Sequence, residues 1–348
     1  MGPGQAGPPP PAGGADTSPL SVGEFRLGCF VPQGWRHDFP EEVPPGARWG
    51  AMVDFALRAE RSGYGAVWVY DHLQAARPGP AGDTFDPLLS LATLGWATTK
   101  IRLGAMCLAL PLHHPAQLAH QLACLDVLSG GRLEVALGAG SDPVEATSFG
   151  IPFPGLRERI LACGEAAELF RVCWGQELAH FEGRYTVVAG ASVYPKPVQQ
   201  PGPPIWIVGG GERLTLWQVA RHADGCSLFG PPERVARKLD VLAEHCRSLG
   251  RPLDTVRVAV VLDCLVGETD AEASLLVQRY NHHREDPAKF RARRLVGTAE
   301  MCAKQLQRYL DLGVSEVCCY FPDALSSNSL ERLAGAVLGA APLGLERR

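Results

Sequence analysis

The sequence predicts a (β/α)8 barrel, and three observations lead to that fold. Eight short apolar runs follow one another along the chain, and a helical pattern follows each of them. The runs are apolar along nearly their whole length, as parallel strands covered on both faces require. The alternative, a doubly wound open sheet, needs a glycine-rich turn after its first strand, and residues 29–34 do not supply one.

The first four β/α units are expected between residues 25 and 174. The strands are predicted at Phe25–Val31, Val67–Tyr70, Ile101–Leu108 and Leu133–Leu137. The first helix ends at Gly63, a residue type that tolerates the left-handed conformation of a helix end, and its buried face is predicted to carry Met52, Phe55, Ala56 and Ala59. The other helices are predicted at Phe85–Thr98, from Pro115 to the Gly130–Gly131 pair, and at Leu156–Trp174.

The last four units follow the same pattern. Their strands are predicted at Ile205–Val208, Gly225–Phe229, Val256–Val266 and Val314–Phe321. Their helices are predicted up to Ala220, at Val235–Leu249, at Ala271–Tyr280, from the capping residue Thr298 to Gly313, and at the end of the chain. Insertions are expected after strand four, before strand five and after strand seven, at residues 141–155, 180–204 and 281–296. The last of these is basic, which fits either a clamp for an acidic substrate or an ordinary solvated loop.

Composition limits the classes of function. Of the 348 residues, 46% are hydrophobic and 20% are charged, which is enough apolar surface for a large core. Residues 1–21 are rich in proline and glycine and are expected to form a disordered tail, while residues 22–348 are expected to form a single barrel domain. The net charge of −4 disfavours nucleic-acid binding, and no apolar run approaches the roughly 20 residues that span a membrane. The eleven cysteines are scattered without a CxxC pair, which predicts a reduced, cytoplasmic protein.

The chemistry is expected at the carboxyl ends of the strands, where barrel enzymes place their active sites. Asp71 and His72 follow the second strand directly. A histidine can transfer a proton near neutral pH, and a carboxylate can accept a hydrogen bond from a cofactor or substrate. The alternative is an aspartate that caps a loop beside a solvated histidine.

Two glycine-rich segments also lie at strand ends. Gly209, Gly210 and Gly211 leave strand five and enter a helix near Glu212, where free backbone N–H groups would suit a phosphate. They lack the Gly-Lys-Ser/Thr of a P-loop, and a flexible turn is the alternative. Gly138–Gly140 ends strand four and fits either a close approach to a flat ligand or a plain tight turn.

The histidine pairs do not predict a metal site. His113-His114 and His282-His283 are each adjacent in sequence, and no HExxH or comparable ligand spacing accompanies them. No GxSxG motif for an acyl-transfer nucleophile occurs either. We therefore expect neither a resident metal nor a serine nucleophile.

The chain resembles the luciferase-like monooxygenase superfamily and, within it, the oxidoreductases that depend on the deazaflavin coenzyme F420. The resemblance covers roughly residues 25 to 325, and its segments occur in the family's order. They are Glu60–His72, Ile101–Gly104, His114-Pro115, Leu125–Glu134, Pro197–Pro201 with Pro204–Ile207, and Ala223–Gly225.

This resemblance implies a luciferase-like barrel that binds F420, or alternatively FMN, at the carboxyl ends of the strands. By similarity, Asp71 would hydrogen-bond the deazaflavin ring and His72 would donate or accept a proton near the reactive ring carbon. Met106 and Cys107, with Ala105 beside them, would match a strand-three bulge that supports the ring, often with a non-proline cis peptide. The remaining cofactor contacts would be Gly138 and Gly140 at the ring edge and Gly209, Gly210, Gly211 and Glu212 at the phosphate.

The chain also departs from one branch of the family. F420-dependent sugar-phosphate dehydrogenases have a carboxylate directly after the strand-four glycines, where this chain has Ser141. They have a tryptophan shortly after the histidine, where this chain has residues 74–76, Gln-Ala-Ala. Sugar-phosphate oxidation is therefore not expected, and His72 is expected to lack its partner acid.

The leading hypothesis is an F420-dependent oxidoreductase that transfers a hydride between the cofactor and a small organic substrate. The alternative enzyme is an FMN-dependent monooxygenase that uses reduced flavin and oxygen. An alternative of another class is a catalytically silent barrel that binds a flavin or a partner. The resemblance further implies a homodimer packed through helices two and three.

Overall fold

A computed structural model describes residues 25–77, 79, 81–281 and 285–339. The predicted tail, residues 1–21, and His282-His283 lie outside the described residues. In chain order the strands are β1 (Arg26–Phe30), β2 (Ala66–Val69), β3 (Arg102–Ala109), β4 (Leu133–Gly138), β5 (Ala179–Glu182), β6 (Val187–Ala191), β7 (Ile205–Val208), β8 (Gly225–Leu228), β9 (Arg257–Gly267), β10 (Leu295–Thr298) and β11 (Glu316–Tyr320).

The helices lie between these strands. They are α1 (Pro45–Arg61), α2 (Pro87–Ala97), α3 (Pro115–Leu128), α4 (Pro143–Ser148), α5 (Leu156–Gly175), α6 (Thr215–His222), α7 (Pro232–Ser248), α8 (Asp270–Tyr280), α9 (Pro287–Ala292), α10 (Ala299–Leu310) and α11 (Ser329–Leu338). Among the described helices, none is both long enough and apolar enough to cross a membrane.

Eight of the strands form a closed parallel barrel, which confirms the predicted (β/α)8 fold. Going round the barrel, the order is β1, β2, β3, β4, β7, β8, β9 and β11, and β11 pairs again with β1. Cys29 on β1 lies opposite both Val67 of β2 and Cys319 of β11, so one residue marks the register on both sides of the first strand. Because every pairing is parallel, all eight carboxyl ends meet at one end of the barrel.

The core has an outer and an inner layer. Helices pack on the outside of the sheet, and α1 buries the predicted residues Met52, Phe55, Ala56 and Ala59 there. Along each strand, side chains point alternately to the helices and to the inside of the barrel. The inside is filled by side chains that include Trp68, Trp206 and Met106. Each large apolar side chain that is fully buried stabilises the fold by roughly 1.5–3 kcal/mol relative to an exposed one.

The amino-terminal end of the barrel is closed by charged side chains. Arg26 of β1 is buried and forms ion pairs with both Glu134 of β4 and Glu316 of β11. The indole N–H of Trp206 donates to Glu134 at 2.8 Å, and that of Trp68 donates to Glu316 at 2.9 Å. Arg26 and the two indoles therefore satisfy both carboxylates from inside the protein.

The insertions lie where the sequence predicts them, but they contain elements that it does not predict. The segment before barrel strand five forms the antiparallel β5–β6 hairpin. The insertion after β4 contains α4, and the insertion after β9 contains α9 and β10, with β10 paired to the end of β9. These elements have only four to six residues, which is too short to display a hydrophobic period.

Candidate active site

A cavity of about 590 Å³ opens at the carboxyl ends of the barrel strands. Its volume lies within the range of roughly 300–1,000 Å³ that is usual for small-molecule sites. It brings together most of the residues predicted from the sequence, namely Asp71, His72, Met106, Cys107, Gly138, Gly140, Gly209 and Gly211. Ala105, Gly210 and Glu212 do not line it among the described residues.

His72 is held on two sides. Its Nδ1 lies 2.9 Å from Oε2 of Glu145. The indole of Trp35, from the loop after β1, stacks on the imidazole with ring centroids 3.8 Å apart and planes 5° apart. Because Nδ1 is engaged by Glu145, Nε2 is the ring nitrogen left to act on a ligand.

Glu145 corrects the expectation that His72 lacks a partner acid. The acid comes from α4, four residues beyond Ser141, where the family pattern led us to look for it. Asp142 caps α4 by accepting hydrogen bonds from the backbone N–H groups of Val144 and Glu145 at 2.9 and 3.0 Å, and Pro143 occupies its first turn. That short helix places the Glu145 carboxylate beside His72.

Glu145 is also bound to the loop that carries His72. Its Oε1 accepts hydrogen bonds from the backbone N–H groups of Leu73 at 2.8 Å and Gln74 at 3.2 Å. The residue is buried. A single carboxylate therefore fixes both the imidazole and the chain that follows it, which pre-organises the histidine.

Asp71, the residue before His72, is bound to a second histidine. Its Oδ2 accepts hydrogen bonds from the backbone N–H of Ala109 at 2.7 Å and lies 2.6 Å from Nε2 of His113. Burial opposes the charged form of His113, but the hydrogen bond to Asp71 and the charge of that carboxylate outweigh burial and raise the pKa of His113. The site thus contains two histidine–carboxylate pairs, built on adjacent residues of one strand end.

Strand β3 forms one wall of the cavity and contains the irregularity that the family resemblance implies. Its register with β4 shifts between Ala105 and Leu108, and the Met106–Cys107 peptide bond is cis. Gly138 of β4 lies against this wall, where an added Cβ would sit 2.0 Å from Sγ of Cys107. Burial, with a smaller contribution from the charge of Asp71, raises the pKa of the Cys107 thiol to about 12, so this residue acts as a neutral wall rather than a nucleophile.

The glycine loop after β7 forms another border of the cavity, one strand beyond β4 in the barrel order. Gly209 has a φ of +125°, a conformation that side-chain-bearing residues rarely adopt, and the loop leads to α6 at Thr215. Lys238 of α7 donates a hydrogen bond to the carbonyl of Gly210. Glu212 lies on the outer side of this loop, where its carboxylate pairs with Arg237 at 3.0 Å.

Sequence reasoning missed Trp35 and Glu145 as members of the site, and it considered His113 only as one of a histidine pair, without its contact with Asp71. For Glu145 a signal was present, because Asp142-Pro143 is a typical helix start and places a glutamate in the first turn. For His113 the position after the third strand is itself such a signal, whereas for Trp35, in the loop after β1, no local pattern points to the site.

Comparison with known proteins gives consistent matches. The sequence pattern of the luciferase-like monooxygenase family matches residues 27–316. The F420-dependent glucose-6-phosphate dehydrogenase of Kineococcus radiotolerans is 34% identical over 177 residues, so the chain spans about half of that relative, 51% of each sequence. The enzyme of the same name from Nocardia farcinica is 28% identical over 78% of this chain and 88% of its own length. A solved F420-dependent secondary alcohol dehydrogenase, in complex with an F420–acetone adduct, has a TM-score of 0.76, with 19% identity over 90% of this chain and 99% of its own.

Proposed function

This chain belongs to the luciferase-like monooxygenase family, and from that premise we propose that it is an oxidoreductase that uses coenzyme F420 to transfer a hydride to or from a small organic substrate. The observation that carries the proposal is the His72–Glu145 pair at the edge of a cavity bordered by the β3 bulge and the glycine loop. The names of the two curated relatives support F420 as the cofactor.

The described residues fit a flat ring with a phosphate-bearing tail. At the β3 bulge, the missing side chain of Gly138 leaves room for Cys107, whose Sγ lies 2.0 Å from the position of an added Cβ, so a neutral wall faces the cavity. Gly209 and Gly211 also line the cavity, and Lys238 supplies a cation next to that loop. Backbone N–H groups and a nearby ammonium are suitable partners for a phosphate.

The chain's own residues would orient the reactants and move the proton. Bound F420 supplies a carbon centre that accepts or donates a hydride. His72, held through Nδ1 by Glu145, would exchange the substrate proton through Nε2. Trp35 keeps the imidazole plane fixed, and the Asp71–His113 pair anchors the strand end from behind. Positioning of this kind is the main contribution that a protein makes to cofactor chemistry.

A binding titration tests the proposal. We expect the purified protein to bind F420 at least about tenfold more tightly than FMN, when each is followed by its fluorescence. Tight binding of FMN alone would replace the proposal by its alternative, an FMN-dependent monooxygenase, which the family name favours. Failure to bind either cofactor would contradict the proposal and would leave only a catalytically silent barrel that binds a partner.

A variant in the glycine loop after β7 tests whether this loop holds the phosphate of the cofactor. Gly210→Val should weaken F420 binding by about tenfold or more, because its side chain would displace Lys238, whose Nζ lies 2.6 Å from the added Cβ position. Gly175→Val is the matched control, since a Cβ at Gly175 meets nothing within 4 Å. Equal affinities of the two variants would move the phosphate site elsewhere.

We also propose a homodimer and a reducing compartment. Leu89 and Trp96 on α2 and Val127 and Leu128 on α3 are exposed apolar side chains on neighbouring helices, a pattern typical of an interface. Light scattering should give twice the chain mass of 37.3 kDa, and Trp96→Asp should lower it. All eleven cysteines are free thiols, which supports a cytoplasmic location.

A further inference from the structure

We infer that the substrate is an uncharged alcohol or carbonyl compound with an apolar body, and not a sugar phosphate. This inference rests on the proposed function and names the substrate class of the same site. It follows from three features of the cavity: its apolar entrance, the pairing of its charges, and the hydrogen-bonding groups that remain.

The entrance carries large apolar side chains in contact with solvent. Phe229, at the end of β8, is 46% exposed, and Leu156, at the start of α5, is 58% exposed, and both line the cavity. Further inside, Leu112, Phe153 and Ile160 continue the apolar surface. Exposed apolar side chains at the entrance of a pocket favour a ligand that can cover them.

The charged side chains of the cavity are already paired within the protein. Among the described residues that line it, Arg36, Asp71, Asp142 and Glu145 are charged, apart from the titratable His72. Arg36 forms an ion pair with Asp263 at 2.9 Å, and its guanidinium lies 3.8 Å from the ring centre of Tyr320.

The three carboxylates are paired as well. Asp71 binds His113, Glu145 binds His72, and Asp142 both caps α4 and pairs with Arg77 at 3.2 Å. Around His72, a substrate phosphate dianion would therefore meet three carboxylates and one arginine that would first have to leave its partner, whereas Lys238 lies beside the glycine loop that is proposed to hold the phosphate of the cofactor. Desolvating such an anion without a free cation is unfavourable, so the cavity discriminates against it.

Few hydrogen-bonding groups remain for a substrate. His72 offers Nε2, Ser141 lines the cavity with a hydroxyl that can donate or accept, and Tyr70 lines it with a buried hydroxyl. These groups suit the single oxygen atom of an alcohol or a carbonyl compound. In the oxidation of a secondary alcohol, the carbinol C–H bond breaks and its hydrogen leaves with both electrons to the oxidised cofactor. The O–H bond breaks, its proton passes to His72, and the oxygen's electrons form the second bond of the carbonyl group. The alcohol loses two electrons and the cofactor gains two.

Binding to the F420-loaded protein decides between the substrate classes. Cyclohexanone and cyclohexyl phosphate share one apolar ring and differ in charge, so calorimetry with the two compounds isolates the effect of the charge. We expect cyclohexanone to bind at least about tenfold more tightly. We also expect cyclohexanol to be oxidised with a kcat/KM at least about a hundredfold higher than that of glucose 6-phosphate. Equal or tighter binding of cyclohexyl phosphate, or a higher kcat/KM for glucose 6-phosphate, would overturn the inference.

A variant at the entrance connects this selectivity to the apolar surface. Phe229→Ser should weaken cyclohexanone binding by about tenfold when it is measured on protein saturated with F420. Leu275→Ser on α8 is the control, because Leu275 is 63% exposed and lies outside the cavity lining. A Phe229→Ser protein that binds cyclohexanone as tightly as the control does would contradict the role of the entrance. If F420 itself does not bind, the proposed function fails, and that failure is visible before either substrate is added.

Discussion

The same eight strands end in two different environments at the two ends of the barrel. At the amino-terminal end, Arg26 forms ion pairs with Glu134 and Glu316, and two indole N–H groups donate further hydrogen bonds to these carboxylates. At the carboxyl end, His72 is held through one ring nitrogen only, beside an open cavity. At the amino-terminal end, the charged groups bind one another and hold the strands together. At the carboxyl end, Nε2 of His72 is left to bind a ligand. Such a division between a stabilising and a catalytic face is typical of barrel enzymes.

The largest expected effect on stability comes from breaking the ion pairs of Arg26 at the amino-terminal end of the barrel, which we call the closed end. Glu134→Gln should lower the free energy of unfolding by roughly 3–5 kcal/mol, because it leaves the buried Arg26 without one of its charge partners. Denaturant titration measures this change. Glu233→Gln is the control, since the Glu233–Arg308 pair is exposed and should contribute less than about 1 kcal/mol. Similar losses in both variants would mean that the cluster does not stabilise the barrel.

The same variant should alter the response to acid. Burial disfavours the charged form of Glu134, but the charges of Arg26, Arg257 and Arg102 outweigh burial and lower its pKa well below the usual value. A lowered pKa in the folded state stabilises the protein above the unfolded-state value of 4.5, and this stabilisation is lost as the pH falls below it. The stability difference between the wild type and Glu134→Gln should therefore shrink on acidification.

A substitution at the carboxyl end of the barrel, beside the cavity, should affect the reaction instead of the fold. His72→Ala should lower turnover by about 10² or more, the usual size of a lost acid–base group, while F420 binding stays nearly unchanged. Steady-state kinetics and the cofactor titration together separate the two effects. His120→Ala, at an exposed histidine of α3, should leave turnover unchanged. Equal turnover of the two variants would remove His72 from the mechanism.

A smaller effect is expected from the residue that positions His72. Glu145→Gln keeps an oxygen for the amides of Leu73 and Gln74 but can turn an N–H group toward Nδ1 of His72. The imidazole would then carry its proton on Nε2, and turnover should fall by about tenfold to a hundredfold. Glu165→Gln is the matched control, because Glu165 binds the loop amides of residues 184–186 away from the cavity. A loss of turnover in the control of the same size would indicate a general effect of loop distortion.

The two ends also differ in how far the sequence predicts them. The barrel strands were recovered because parallel strands buried on both faces are continuous apolar runs. Asp71 and His72 were found because the carboxyl end of a strand is a local position that the fold itself selects. Their contacts with Glu145 and His113 are not predictable in the same way, since each contact joins loops that follow different strands and no spacing along the chain encodes it. The ion pairs of Arg26 with Glu134 and Glu316 are not predictable for the same reason. Arg26 and Glu316, for example, are 290 residues apart.

The smallest effect should come from the second histidine pair, and its pH dependence should run opposite to that of the closed end. The pKa of His113 is raised by Asp71, which outweighs the effect of burial. A raised pKa stabilises the fold fully below the unfolded-state value of 6.5, and the stabilisation is lost as the pH rises through the folded-state pKa. His113→Gln retains a hydrogen-bond donor without a titratable charge, so the stability difference from the wild type should be larger at acidic pH than at alkaline pH. The difference stays small because the neutral imidazole can still donate to Asp71. Urea titrations of both proteins on either side of neutrality would measure it, and a difference that does not change with pH would mean that the His113–Asp71 pair is not charged.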